Sequence, residues 1–290
     1  MTITDRDTLK LGLPKGRMQE GTFKILSDAG IKVRSTRRNY RPDVSIDGVE
    51  AKILKPHNIV RMLDAGTRDI GFAGADWVAE LGAEVTELLD TRLDPVSLVA
   101  AAPRALLVDG RLPTRPLTVA AEYENLTQQW IDRRKLDAEF IRSYGATEVF
   151  PPEDADCIVD VTATGDTLRS NQLEIVDTLM VSSTRLYAYP RALDNPTKRR
   201  RIEDLVVVLS SVLEARQRVM LEVNVATDDL EALVDLIPSM RKATVSQLHG
   251  DSGFAIKSAI PRRVLPTLVP AIKARGGTDV VVYELSQIVP

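Results

Sequence analysis

The residues whose types and spacing best suit ligand binding or catalysis lie in one short run near the middle of the chain. An apolar strand ends in the carboxylate of Asp160, a Thr/Gly loop follows, and a helix begins near Thr167. Backbone N–H groups at a helix start favour anions, and Gly165 lets the backbone approach a ligand closely. The hydroxyls of Thr162, Thr164 and Thr167 add donors, each contributing roughly 1.5–3 kcal/mol in a hydrogen bond to a charged group. The loop is therefore predicted to hold a phosphate.

Asp160 needs a separate explanation, because a carboxylate repels a phosphate. A carboxylate accepts hydrogen bonds from the cis-diol of a ribose, so the run describes a pocket for a ribose 5-phosphate. An ordinary strand–loop–helix turn with threonine caps explains the same residues. The run alone leaves both interpretations open.

Alternating strands and helices must position this loop. Apolar runs such as Leu9–Leu13 and Ile70–Ala73 alternate with helical patterns, which predicts a mainly parallel sheet covered by helices. Two segments flanking Asp47-Gly48 are typical of a β-hairpin. The apolar run Leu98–Ala102 and the Pro-, Arg- and Gly-rich segment Pro103–Pro116 are interpreted as a crossover into a second lobe, and a ligand cleft is expected between the two lobes.

From Val219 onward the pattern changes to strand, helix, strand, strand, helix, strand, which is the ferredoxin-like order. The predicted divisions are 1–92 with 182–214 for the first catalytic lobe, 93–181 for the second, and 215–290 for a C-terminal domain. No polar cluster of a catalytic kind is apparent in that domain. By analogy with other appended domains of this type, a regulatory role is expected.

Composition excludes several classes of function. The 290 residues carry a net charge of −3, which disfavours nucleic-acid binding, and Lys198–Arg201 is interpreted as a solvated basic face. One cysteine, Cys157, permits no disulfide framework within the chain and is expected to be a buried small hydrophobe. No signal peptide or membrane-spanning run is apparent, so a cytoplasmic location is expected.

The segment Ile158–Leu168 resembles the phosphoribosyl pyrophosphate (PRPP) signature of phosphoribosyltransferases, in the version found in the ATP phosphoribosyltransferase family. Four further segments are similar to that family and occur in the same order, namely Leu11–Arg17, Asp69–Asp76, Glu122–Thr127 and Gly145–Glu148. The chain departs from the family pattern at Lys55, where many members have an arginine, and at Lys242, where some relatives have a serine.

The resemblance implies both a fold and a reaction. The fold is α/β, a two-lobed type II periplasmic-binding-protein-like catalytic core plus a C-terminal ferredoxin-like (ACT-like) βαββαβ domain. The reaction transfers the 5-phosphoribosyl group of PRPP to N1 of ATP and releases pyrophosphate, with Mg²⁺ on the pyrophosphate oxygens. It is the first step of L-histidine biosynthesis. The resemblance further implies inhibition by L-histidine and assembly into dimers and hexamers.

The resemblance also assigns site residues. PRPP is assigned to Asp160, Val161, Thr162, Ala163, Thr164, Gly165, Asp166, Thr167 and Leu168. Catalysis is assigned to Asp160, Lys15 and Arg17, and the metal ion to Glu148 and Asp160. ATP is assigned to Lys15, Gly16, Arg17, Lys55, Gly74, Asp76 and Tyr123. The histidine effector is assigned to Met240, Lys242, Thr244 and Gly276.

Plainer interpretations of these residues stay open. Asp76 lies where it would cap a helix, and Glu148 follows a turn where carboxylates are usually solvated. Tyr123 either lines the adenine pocket or packs in the hinge between the lobes. Arg37, Arg38 and Arg41 are interpreted as part of a surface loop, with a phosphate clamp as the alternative.

Two other functions compete with phosphoribosyl transfer. A solute-binding protein shares the two-lobed architecture, but it has no use for the loop after Asp160. A non-catalytic paralogue that senses nucleotides or histidine would keep the scaffold without turnover. The intact PRPP signature favours the enzyme over both.

Overall fold

The computed structural model describes residues 7–34 and 40–289. Of the three arginines of the suggested phosphate clamp, Arg37 and Arg38 lie outside the described residues, whereas Arg41 is described. The chain divides into two compact units, the first formed by the described residues of Met1–Lys24 and Lys32–Ile202, the second by Ile25–Ile31 and Glu203–Pro290. Among the described residues, no helix is long and apolar enough to cross a membrane.

The first unit is built on an eight-stranded mixed sheet. Its strands are β1 Leu9–Pro14, β4 Val49–Leu54, β5 Ile70–Gly74, β6 Thr86–Pro103, β7 Leu117–Ala121, β8 Ala138–Arg142, β9 Cys157–Thr162 and β10 Leu173–Ala188. A separate two-stranded ribbon is formed by β2 Val33–Arg34 and β3 Asp43–Val44. The helices that lie wholly in this unit are α2 Pro56–Asp64, α3 Ala75–Leu81, α4 Glu124–Arg134 and α5 Asp166–Ser170. Helices α1 Arg17–Asp28 and α6 Pro196–Gln217 begin in the first unit and continue into the second.

The sheet order is β4-β1-β5-β10-β6-β9-β7-β8, and it explains the two lobes. β4, β1 and β5 are parallel at one end, and β9, β7 and β8 are parallel at the other. Between them, β10 and β6 run antiparallel to each other and to their outer neighbours. The two-lobed α/β core is confirmed, whereas the expectation of a mainly parallel sheet is wrong at its centre.

The predicted crossover is only partly right. Leu98–Ala102 lies in the long strand β6, which itself passes from one lobe to the other, whereas residues 104–116 follow that strand and do not make the crossing. Arg92 and Asp94 adopt positive φ angles of 55° and 48° within β6, and the pairing with β10 shifts register there. Such irregularities bend a strand without ending it. Because the residues at the bend are polar, they interrupt the apolar sequence pattern of what is one long strand.

The predicted hairpin at Asp47-Gly48 does not form. β3 pairs with β2, and β4 instead pairs with β1 in parallel, from Leu9 opposite Val49 to Pro14 opposite Leu54. The local turn signal is overridden by the long-range pairing of two apolar strands.

Alternate residues of β6 face two cores in the second lobe. Leu98 packs in a cluster with Trp130 of α4, whereas Val99 packs with Leu168 of α5. Burial on both faces explains why Leu98–Ala102 is continuously apolar rather than alternating. Cys157 is fully buried in the same lobe, as expected, and burial raises its pKa to about 12.

The basic run Lys198–Arg201 is not simply a solvated face. The Lys198 ammonium lies 2.8 Å from Asp69, and the Arg201 guanidinium donates to the backbone carbonyl oxygens of Asp7 and Gly48. These contacts hold the start of α6 against the first lobe.

The second unit contains the predicted ferredoxin-like order. Its elements are β11 Arg218–Val225, α7 Leu230–Leu236, β12 Thr244–Gln247, β13 Phe254–Pro261, α8 Leu265–Ala274 and β14 Thr278–Glu284. The antiparallel sheet has the order β12-β13-β11-β14. Alternate residues of β11, from Val219 to Val225, are buried in a core with Leu233 of α7 and Ile272 of α8.

Candidate active site

The loop after β9 forms a small cavity of about 250 Å³. Its lining includes Glu148, Asp160, Val161, Thr162, Ala163, Thr164, Asp166, Thr167 and Leu168. The Thr162 hydroxyl accepts a hydrogen bond from the Gly165 N–H at 2.9 Å, which closes the turn. Gly165 has a φ angle of +77°, a left-handed conformation that side-chain-bearing residues rarely adopt. All but one of the nine residues assigned to PRPP therefore face one cavity, and Gly165 shapes it.

The hydroxyls of this loop are not equally available to a ligand. The Thr164 hydroxyl donates to the Asp166 carboxylate at 2.5 Å, and Asp166 is also paired with Arg169. Thr167 is exposed in the first turn of α5 and lines the cavity. Thr167 is therefore the hydroxyl best placed to donate to a phosphate.

Asp160 lies at the wall of the cavity with a raised pKa of about 6. Burial is the main cause, and the negative charges of Glu148 and Glu122 add to it, whereas the Val161 N–H, 2.7 Å away, lowers the pKa. The site thus holds a carboxylate whose burial the Val161 N–H offsets only in part. Hydroxyl donors or a cation would reduce the free-energy cost of burying the charge of Asp160.

The charge of this cluster fits a magnesium ion that arrives with a substrate. Among the residues that the structure describes, no group of three or more potential ligand side chains is assembled. Glu148 and Asp160 offer two carboxylates at one cavity. Mg²⁺ is usually held in this manner, by one or two carboxylates together with substrate phosphate oxygens and water.

A larger cleft of about 1080 Å³ lies in the same unit. Lys15, Gly16 and Lys55, three of the residues assigned to ATP, line this cleft. Lys15 and Gly16 follow β1, and Lys55 follows β4 immediately before Pro56, the first residue of α2. Parallel neighbours β1 and β4 end at the same edge of the sheet, which brings the two lysines into one cleft.

Arg17 has a different position. It is the first residue of α1, and its guanidinium donates to the backbone carbonyl oxygen of Asp94 at 2.9 Å, at the bend of β6. In this arrangement Arg17 ties the edge of the first lobe to the strand that crosses into the second.

The sequence analysis missed the aromatic side of the cleft. Trp77 lines the cleft, stacks on Tyr123 with ring centroids 4.6 Å apart, and meets the His57 ring edge-on at 5.1 Å. Burial, followed by the charges of Lys55 and Arg61, lowers the pKa of His57 and keeps its ring neutral. A half-buried tryptophan and a neutral imidazole provide flat surfaces suited to a nucleobase.

Tyr123 packs beneath this surface instead of lining the cleft. It is 3% exposed, and its hydroxyl donates to Asp76 at 2.7 Å. The second Asp76 oxygen accepts from the Ser182 hydroxyl at 2.7 Å. Of the two interpretations of Tyr123, the structure favours packing between the lobes. Burial and the Asp76 carboxylate raise the pKa of Tyr123, so it remains a hydrogen-bond donor.

Asp76 is 1% exposed and does not cap its helix. Its position depends on Gly74, since a Cβ at Gly74 would lie 2.0 Å from an Asp76 oxygen and 2.9 Å from the Met18 methyl group. Gly74 and Asp76 thus belong to the contact between α3 and the start of α4 rather than to the wall of the cleft. We call this contact, which includes the hydrogen bond from Tyr123 to Asp76, the joint.

Glu80 completes this joint, although no sequence pattern marks it as a site residue. Its carboxylate accepts the backbone N–H groups of Asn125 and Leu126, both at 3.0 Å, at the start of α4. The Asn125 side chain donates back to the Glu80 carbonyl oxygen at 2.8 Å, and Tyr123 is the residue at the N-cap position of α4. Helix α4 is capped across the lobe boundary by α3.

The four residues assigned to the histidine effector do not form one cluster. Met240 and Lys242 precede β12, and Thr244 begins it. Gly276 precedes β14, at the opposite edge of the sheet, about 14 Å away by strand spacing. A ligand that contacts both groups would need a second chain.

Comparison with known proteins agrees with this architecture. The family model described as ATP phosphoribosyltransferase matches residues 55–211, and the model described as "HisG, C-terminal domain" matches residues 215–287. ATP phosphoribosyltransferases of Chlorobaculum parvum and Pelotomaculum thermopropionicum are each 33% identical to the chain. They align over 98% and 97% of it and 98% and 99% of their own lengths.

A similar solved structure is the ATP phosphoribosyl transferase (HisG:HisZ) complex from Thermotoga maritima, with a TM-score of 0.63 and 26% identity. The match covers 71% of this chain and 98% of that one, so the present chain is longer. From these matches, this chain belongs to the ATP phosphoribosyltransferase family.

Proposed function

We propose that this chain transfers the 5-phosphoribosyl group of PRPP to N1 of ATP with release of pyrophosphate, the first step of histidine biosynthesis. The observation that carries the proposal is the desolvated Asp160 carboxylate beside the Thr162–Thr167 phosphate loop, in a member of this family. We place the reaction in the cytoplasm, as the sequence predicts.

Each part of the site has a role in this reaction. The loop holds the 5-phosphate, and Asp160 accepts hydrogen bonds from the ribose hydroxyls. The adenine lies against Trp77 in the larger cleft, where Lys15 and Lys55 meet phosphate oxygens. Glu122 joins the two regions, because it lines the cleft and its charge also acts on Asp160.

The chemical step needs alignment more than covalent help from the protein. Adenine N1 forms a bond to the anomeric carbon as the bond to the pyrophosphate oxygen breaks, and the electron pair leaves with pyrophosphate. Carboxylates near the sugar stabilise the positive charge that develops on it. Mg²⁺, held by Glu148 and Asp160, would neutralise charge on the leaving pyrophosphate.

Control by L-histidine is proposed for the ferredoxin-like domain. Because the assigned residues lie on opposite edges of its sheet, the effector site is formed between copies of the chain. This arrangement requires a homo-oligomer, and dimers and hexamers remain the predicted assemblies.

The test is turnover with product identification. The chain is mixed with ATP, PRPP and Mg²⁺, and phosphoribosyl-ATP and pyrophosphate are measured by mass spectrometry and a coupled assay. Both products should appear only when both substrates are present, and Asp160→Ala should reduce the rate at least tenfold. Binding of PRPP without either product would instead support the non-catalytic paralogue.

A further inference from the structure

A second cavity lies wholly within the second unit and contains none of the residues assigned to substrates or effector. It measures about 450 Å³. Arg216 and Arg218 line it from the end of α6 and the start of β11, and Arg262 and Arg263 line it from the segment after β13. Four guanidinium side chains therefore surround one concave space, with Glu214 as the acidic member of its wall.

The topology of the unit brings these arginines together. Arg218 is the register partner of Pro261 in the antiparallel pair of β11 and β13. The segment entering β11 and the segment leaving β13 therefore lie at the same end of the sheet. Residues far apart in the chain are thus held by a regular strand pair rather than by a chance contact of loops.

Three of the arginines have acidic partners that leave most of their donors free. Arg216 contacts Asp28 at 2.8 Å, Arg218 contacts Glu214 at 2.5 Å, and Arg262 contacts Glu284 at 3.0 Å. A guanidinium has five N–H donors, and one carboxylate oxygen uses only one or two of them.

The Arg263 side chain makes no hydrogen bond or ion pair with the part of the chain that the structure describes, and it is exposed. The three acidic partners offset three of the four positive charges, so one positive charge is left over. An anion entering the cavity would find free donors from several directions. It would also find partly exposed side chains whose positions are already restrained by their ion pairs.

We propose that this cavity binds a pyrophosphate group, either free or as part of a nucleotide. Guanidinium groups match phosphate oxygens in geometry and charge. Several donors converging from two segments suit a group with more than one phosphate, and the volume exceeds the size of a single phosphate. The end of α6 disfavours an anion through its helix dipole, and Arg216 at that end offsets the effect.

The proposal does not depend on catalysis and is tested with a residue-specific probe on the full chain. Phenylglyoxal modifies accessible arginines, and mass spectrometry gives the rate at each position. Pyrophosphate should slow modification of Arg263 at least fivefold. Arg275, an exposed arginine elsewhere in the same unit, should react at an unchanged rate.

A paired variant separates local binding from general screening of charge. In Arg216→Gln/Arg218→Gln, pyrophosphate should no longer protect Arg263. Persistent protection in that variant, or an equal rate at Arg263 with and without pyrophosphate in the unmodified chain, would overturn the proposal. Repeating the protection with ATP and with AMP distinguishes the sources. Protection by pyrophosphate alone assigns the free ion, and protection by ATP as well assigns a nucleotide phosphate chain.

Discussion

At the residue scale, Asp160 combines a functional position with an energetic cost. Its pKa of about 6 lies above the ordinary value of 3.8, so the folded protein resists ionising it. An unfolded chain ionises the same carboxyl freely, and the ionised form therefore destabilises the fold at neutral pH. Functional sites commonly retain such costs because removing them removes the function.

Asp160→Asn should therefore stabilise the protein while weakening PRPP binding. The gain should be about 2 to 3 kcal/mol at pH 8, since one pKa unit corresponds to about 1.4 kcal/mol. It should shrink as the pH falls below 6 and vanish below the ordinary pKa, where the carboxyl is protonated in both states. Urea unfolding at pH 8 and at low pH measures this difference. A variant less stable than the unmodified chain at pH 8 would show that Asp160 has a compensating partner.

The same pKa predicts how PRPP binding depends on pH. Ribose hydroxyls donate best to the ionised carboxylate, so affinity for PRPP should fall as the pH decreases from 8 to 5. Asp160→Asn should bind PRPP weakly and with little dependence on pH in that range. Calorimetric titration at several pH values measures both. An unmodified chain whose PRPP affinity is constant across that range would contradict the role given to this carboxylate.

At the element scale, α3 and α4 are joined by a buried polar network rather than by apolar packing alone. Asp76 and Glu80 of α3 accept hydrogen bonds from Tyr123 and from the first turn of α4. Buried carboxylates of this kind are costly without donors. The joint supports Trp77, whose ring stacks on Tyr123 at the wall of the cleft.

Tyr123→Phe should destabilise the protein by about 1–3 kcal/mol, because a buried Asp76 oxygen loses its donor. The matched control is Tyr283→Phe, since the Tyr283 hydroxyl donates to Glu222 at an exposed site. The control should change the free energy of unfolding by less than about 0.5 kcal/mol. If the two substitutions lowered the free energy of unfolding in urea equally, the buried Asp76 oxygen would not depend on the Tyr123 donor as predicted.

Local patterns predicted the elements better than their partners. The strand, loop and helix around Gly165 and the order of the ferredoxin-like domain follow from residues close in the chain, and both were predicted. The hairpin predicted at Asp47-Gly48 was wrong, because the pairing of β4 with β1 is decided by burial across the sheet. Glu80 and Trp77 escaped notice for the same reason: their roles depend on Asn125 and Tyr123, which lie far away in the sequence.

At the scale of the whole molecule, the catalytic and ferredoxin-like parts have separate cores. The family models also match them separately, as residues 55–211 and 215–287. Of the residues assigned to the effector, Thr244 begins one edge strand of the sheet and Gly276 precedes the other edge strand. A histidine site that uses both edges must be completed by another copy of the chain.

Inhibition by histidine should therefore depend on protein concentration. Diluted to a concentration at which light scattering shows monomers, the chain should lose sensitivity to L-histidine. At higher concentration, Lys242→Glu should weaken inhibition without changing the uninhibited rate. A monomer that is still inhibited by histidine would place the effector site within one chain.

The central claim is that the loop after β9 and the cleft beside Trp77 divide the two substrates between them. Its most direct test is the steady-state KM for each substrate in Thr167→Val and Trp77→Leu. Thr167→Val removes a hydroxyl donor and should raise the KM for PRPP about 10- to 100-fold. Trp77→Leu removes a stacking surface and should raise the KM for ATP about 5- to 100-fold.

Each variant should leave the KM of the other substrate within about twofold, a margin of roughly 0.4 kcal/mol. Thr114→Val in an exposed loop and Phe254→Leu in the second unit, outside the cleft, are the matched controls and should change neither KM. The predicted result is selective: Thr167→Val raises only the KM for PRPP, and Trp77→Leu raises only the KM for ATP. The assignment of the two sites would be contradicted if each variant raised the KM of the other substrate instead, or if both KM values rose equally.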